Sequence, residues 1–168
     1  YSSRRQRQMC IRDREKQELP LDEHFGRMVA QPCTGQKLSS VVQLLGKYLR
    51  MLLALRDGGL QFKDVGPHNC CMTQQGVQLL DYEWVAPTKT FNMKPWNTAV
   101  KAFLSTFCGV MQNSGGQGWR SCAGTFQLQL EQWWARKTVT EVEFISIAPR
   151  ELDDEAARLC AAVGIVVD

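Results

Sequence analysis

The stretch FKDVGPHNCCMTQQGVQLLDYEW, Phe62 to Trp84, decides the reading of this chain. Gly66 and Pro67 break any regular element that follows Phe62, so Asp64 to Asn69 reads as a loop. Cys70-Cys71-Met72, then Thr73 to Gly76, then Val77 to Leu80 read as strand, turn and strand, a hairpin with Gly76 in the turn. Asn69 stands just before the first strand and Asp81 just after the second. Antiparallel pairing brings those two ends side by side. Asp64 lies five residues before Asn69, at the mouth of the same loop. Two carboxylates and one carboxamide are therefore expected to converge at one end of a single hairpin. Such a set suits phosphoryl transfer. One carboxylate accepts or orients the proton of an attacking hydroxyl, while the other and the amide oxygen hold a magnesium ion against phosphates.

The hairpin needs backing, and the sequence supplies it upstream. Val41, Leu44, Leu45, Tyr48, Leu49, Leu52 and Leu55 recur at spacings of three and four, which predicts a helix capped by Ser39 or Ser40. Val42, Met51 and Leu53 widen the apolar stripe, so burial on more than one side is expected. Gly58 and Gly59 should end this helix, with Leu60 to Phe62 extended after it. Downstream of Trp84, a loop holding Pro87 and Pro95 leads to a helix from Asn97 or Thr98 to about Met111. Gly115, Gly116 and Gly118 break the chain before another helix over Ser121 to Ala135. There Trp133 and Trp134, spaced with Phe126 and Leu130, read as core. Val139 to Ile147 favours strand by residue type, and Glu151 to Val163 favours helix with acids at its N-terminal end. The class is α+β and mainly helical, with a small hairpin at the site. We divide the chain into a basic start (1–15), a connecting segment with a short helical piece around Asp22 to Met28 (16–38), the main lobe (39–135) and a C-terminal strand and helix extension (136–168).

Composition narrows the classes. Hydrophobic residues make up 44% of 168, enough for a core, and the net charge of +3 gathers in the first sixteen residues. The rest is near neutral and makes no case for a nucleic-acid surface. The basic start resembles translated adapter sequence and is set apart from the folded body. No uninterrupted apolar run reaches the roughly 18 residues of a membrane span. The seven cysteines are odd in number and include no C-x-x-C pair. That spacing argues against a disulfide framework or zinc ribbon and suggests reduced thiols in a cytoplasmic chain. Cys70 and Cys71 should face opposite sides of their strand. His68 reads as a surface loop histidine, and Lys89, Lys94 and Lys101 as scattered surface charges.

Asp64, four residues, Asn69, a hairpin, then Asp81 followed by Tyr82 resembles the catalytic and metal-binding loops of the protein-kinase-like superfamily. Pro67 matches as well. The ending LLDYEW is more similar to choline/ethanolamine kinases and aminoglycoside phosphotransferases, where Asp-aromatic-Glu closes the motif, than to protein kinases. The resemblance covers residues 39–86, roughly a third of the chain. It implies a kinase-like C-lobe in which Asp64 is the catalytic base, and Asn69 and Asp81 bind Mg2+ and through it ATP. The γ-phosphate would pass to a hydroxyl of a protein or small molecule.

Three departures qualify what the resemblance implies. Phe62 stands where the superfamily usually has His two residues before the base, and Lys63 replaces a common Arg. Gly66 stands where protein kinases place Lys and the antibiotic kinases His, so one phosphate contact should be missing. No glycine-rich loop and no strand with a phosphate-pairing Lys precedes the helix. The N-lobe is therefore expected to be absent from these residues, which alone should bind ATP weakly. The alternative is a catalytically inactive pseudokinase-like interaction module. An unrelated helical binding protein with an accidental match would keep Asp64, Asn69 and Asp81 apart.

Overall fold

Thr34 starts the long central helix. Its extended backbone (φ −134°, ψ 159°) and its Oγ1, which accepts from Lys37 N at 3.3 Å, cap an α-helix over Gly35–Asp57. We call this helix α2, because a shorter helix, α1, covers Leu21–Val29. The computed structural model describes residues 19–80, 85–88 and 93–137, with 154, 157, 158 and 161, and the side chains of 93–96 and 137 are not among those described. After α2 come β1 (Leu60–Phe62), a 3-10 turn (Pro67–Asn69), β2 (Cys70–Thr73), β3 (Gly76–Leu79), β4 (Val85–Pro87), α3 (Met93–Ser114) and α4 (Gln117–Lys137). The protein is α+β and mostly helical, with small antiparallel sheets.

The first helical turn of α2 lies before the expected start because Ser39 and Ser40 sit inside the helix, where Ser40 Oγ donates to Gln36 O at 2.9 Å. The C-terminal end falls where the glycines place it. Gly58 N and Gly59 N donate to Ala54 O and Arg56 O, and Gly59 adopts φ +67°, the left-handed conformation that costs glycine little. Leu38, Val41, Val42, Leu45, Tyr48 and Leu52 are fully buried on α2. By length and composition alone α2 could cross a membrane, with a mean hydropathy of 1.3 over its best window. Half of that window is buried inside the protein, where it forms the core.

α1 belongs to that core rather than merely leading to it. Leu21, Phe25 and Val29 are buried, and α1 packs on α3, on the 3-10 turn and on β2. The Phe25 ring meets Phe103 edge-on at 5.3 Å and Phe107 at 4.7 Å, and Phe107 continues to Trp119 and Phe126 at 6.3 and 6.0 Å. Each such pair contributes about 0.5–1.5 kcal/mol beyond burial. Trp133 and Trp134 are buried too, with Trp134 Nε1 donating to Asn97 Oδ1 at 3.0 Å.

β2 and β3 pair in the register Cys70↔Leu79, Cys71↔Gln78, Met72↔Val77 and Thr73↔Gly76. Gln74 and Gln75 form the turn, and Gly76 opens β3 at φ +120°. β1 pairs with β4 as Leu60↔Pro87, Gln61↔Ala86 and Phe62↔Val85, where the sequence suggested only a loop after Trp84. A three-residue strand ending in proline carries no alternation to detect. Cys70 and Cys71 are both buried although neighbours in a strand face opposite ways. α1 packs on β2, and the strand's edges are taken by β3 on one side and by the Pro20–Cys71 bridge on the other, which encloses the strand. The expected strand over Val139 to Ile147 lies outside the described residues. Of the expected C-terminal helix, Asp154, Ala157, Arg158 and Ala161 are described, and these are helical.

Candidate functional site

The loop from Asp64 to Asn69 is held from below by one buried hydroxyl. Tyr48, on α2, donates to Val65 O at 2.6 Å, and Ala99 O of α3 lies 3.3 Å away on its other side. The loop, the central helix and the start of α3 thus meet at a single oxygen. Burial raises the Tyr48 hydroxyl well above its ordinary pKa, helped by the Cys70 sulfur and the Asp64 carboxylate, so it remains a donor. Cys70 Sγ makes a longer contact to the same carbonyl at 3.7 Å, and its thiol is pushed up to about 12, chiefly by burial and then by Cys71 and Asp64.

Above this anchor the loop turns on its own backbone. Asn69 N donates to Gly66 O at 2.9 Å, and the 3-10 turn packs between α1 and α3. Asp64 is half-exposed. Gly66 N donates to its Oδ1 at 3.4 Å, and His68 Nε2 stands 3.5 Å from its Oδ2. Asn69 Nδ2 faces Asp64 O at 3.5 Å, which leaves Oδ1 as the amide atom able to meet a cation. The structure therefore brings Asp64 and Asn69 into one loop, five residues apart. At the other strand, Leu80 N donates to Asn69 O at 2.8 Å, which extends the hairpin pairing one step beyond Cys70↔Leu79. Asp81 lies outside the described residues, as do Tyr82, Glu83 and Trp84.

Sequence reasoning did not anticipate what stands over Gly66. A Cβ built on Gly66 would lie 2.8 Å from His68 Cε1 and 2.9 Å from Nδ1. The imidazole thus fills the space that a side chain at 66 would need, and it faces the Asp64 carboxylate. The i,i+4 spacing of Asp64 and His68 was the available signal. Phe62, where a histidine was the usual expectation, is buried and continues the apolar packing under the loop.

Among the described residues, no group of three or more His, Cys, Asp or Glu side chains could hold a metal ion. The donor set expected for magnesium is different, an amide oxygen and one carboxylate, and half of it, Asp81, lies outside the described residues. A separate cavity of about 550 Å³ opens between α3 and α4, lined among others by Asn97, Lys101, Ser105, Glu131 and Trp134. Comparison with family models, with curated proteins and with solved structures found no match.

Proposed function

We propose that this chain carries the catalytic loop of a kinase-like phosphotransferase, with Asp64 as the base that receives the acceptor's hydroxyl proton. The observation that carries the reading is the Asp64–Asn69 loop at the open end of an antiparallel hairpin, anchored through Val65 to the core helix. Leu80 stands opposite Asn69, and Asp81 is the next residue in the chain. Asn69 Oδ1 and the Asp81 carboxylate are the hard oxygen donors that would hold Mg2+, and the ion would neutralise the phosphates of ATP.

The chemistry asked of the protein is modest. Asp64, half-exposed and fixed on Oδ1 by Gly66 N–H, keeps a lone pair for a hydroxyl donor. A base so positioned contributes about 10²–10⁴-fold, or roughly 3–5 kcal/mol off the barrier. The test is magnesium-dependent transfer of a labelled γ-phosphate from ATP to a panel of hydroxyl acceptors, using the intact protein. Asp64→Asn preserves the size and the Oδ1 contact but removes the base, so turnover should fall by about 10²–10⁴-fold. Equal residual rates in the two proteins would remove Asp64 from catalysis and favour a non-catalytic interaction module.

A further inference from the structure

Cys33 precedes the cap of α2, and Cys122 lies in the second turn of α4. The chain separates them by 89 residues, yet their Sγ atoms are 3.9 Å apart. Several contacts build this approach. Trp119 Nε1 donates to Gln31 O at 2.7 Å and pins the segment between α1 and α2 onto α4. A Cβ on Gly118 would lie 3.2 Å from Cys33 Cβ, so the bare glycine one turn before Cys122 lets the segment settle that close. Cys122 Sγ donates to Trp119 O at 3.3 Å, which holds it beneath Cys33. Cys122 is buried and Cys33 partly exposed, so an oxidant meets Cys33 first. Among the described residues no third ligand completes a metal site around them.

We propose that Cys33 and Cys122 are a redox modification site, closing to a reversible disulfide under peroxide and stapling the α1–α2 segment to α4. The Cys33 thiolate attacks one peroxide oxygen. An S–O bond forms as the O–O bond breaks, and the leaving oxygen departs as water once protonated, giving a sulfenic acid. The Cys122 sulfur then gives up its proton and attacks the Cys33 sulfur, and the S–O bond breaks with loss of a second water. Two thiols and one peroxide become one disulfide and two waters, both sulfurs oxidised and both peroxide oxygens reduced. The sulfurs need to close from 3.9 Å to the roughly 2.05 Å of the bond. Burial raises the Cys122 thiol above its ordinary 9.0, while the Cys33 contact lowers it. The rival partner, Cys108, is pushed up to about 12 by burial, then by Glu131 and Cys122, and so stays a thiol. Closing so long a loop restricts the unfolded chain and raises the melting temperature.

The experiment is peptide mapping by mass spectrometry of the folded protein after peroxide, with and without dithiothreitol, alongside thermal melts. The expected result is one cross-link between the Cys33 and Cys122 peptides, removed by dithiothreitol. Oxidation should raise Tm by several degrees. Cys33→Ser should lose both effects, and Cys108→Ser should keep both. The proposal is overturned if Cys33 advances to sulfinic acid with no cross-link, or if Cys122 pairs with Cys108 instead. Neither outcome depends on the phosphotransferase reading.

Discussion

Tyr48→Phe should destabilise the protein by about 2 kcal/mol, although it removes a single oxygen. The phenyl ring keeps its volume and its tilted contact with Phe103 at 4.9 Å, so no cavity opens. What is lost is the donor to Val65 O at 2.6 Å, in a place where Val65 is 3% exposed. A buried acceptor stripped of its partner costs about 1–3 kcal/mol. The Cys70 thiol at 3.7 Å offers partial relief, which places the effect in the middle of that range. For a domain of this size about 2 kcal/mol corresponds to a fall of roughly 6–8 °C in Tm. In urea, with a slope of about 2 kcal/mol/M, the midpoint should drop by about 1 M. Chemical denaturation followed by tryptophan fluorescence reads this directly, since Trp119, Trp133 and Trp134 are all buried. The slope should not change, because the same surface is exposed on unfolding. A midpoint shift below about 0.3 M would refute the claim that one hydroxyl ties the Asp64 loop to the core.

Two further outcomes test the packing and the electrostatics. Gly115→Ala should cost about 1–3 kcal/mol by overpacking, because the added Cβ meets Met111 O and lies 2.5 Å from Trp119 Cβ; equilibrium unfolding checks it, and a neutral result would contradict the tight α3–α4 corner. The Cys70 and Cys108 thiols, raised from 9.0 to about 12, ionise in the unfolded chain before they do so in the folded one. Their stabilising effect is complete below pH 9 and is lost as the pH rises towards 12, each thiol steepening the decline by about 1.4 kcal/mol per unit. Urea midpoints measured between pH 8 and about 11 should therefore fall, and Cys70→Ala should flatten that decline even though its cavity lowers the starting stability.

Much of the fold's middle was legible because it is written in local patterns. The three-and-four spacing from Val41 to Leu52 places a buried stripe on α2, and Gly58 and Gly59 mark its end. The hairpin followed from strand-forming residues on both sides of Thr73 to Gly76, and with it the expectation that the chain at Asn69 and at Asp81 would lie side by side; the pairing is seen as far as Leu80, and Asp81 lies outside the described residues. The remainder depends on contacts between distant segments. Thr34 caps α2 by accepting a hydrogen bond from Lys37 N, a signal that carries no apolar periodicity. α1 has only nine residues, and its place in the core depends on Phe103 and Phe107, some eighty positions away. Cys71 is buried where Pro20, at the start of α1, bridges the edge of β2, a contact between segments some fifty residues apart. Within the site, the residue types at 64 and 69 were readable, but two things were not. One was the second use of Tyr48, an ordinary member of an apolar stripe by spacing. The other was the His68 ring lying over Gly66, which needs the turn geometry of the loop.

The claim at the centre of this account is that Asp64, Asn69 and Asp81 serve one magnesium–nucleotide site. Isothermal titration calorimetry of the intact protein with ATP, with and without magnesium, tests it most directly. The account predicts binding that requires magnesium and that disappears in Asp81→Ala, while Asp64→Asn still binds. Absence of magnesium-dependent binding in the unsubstituted protein, or binding left unchanged by Asp81→Ala, would contradict it.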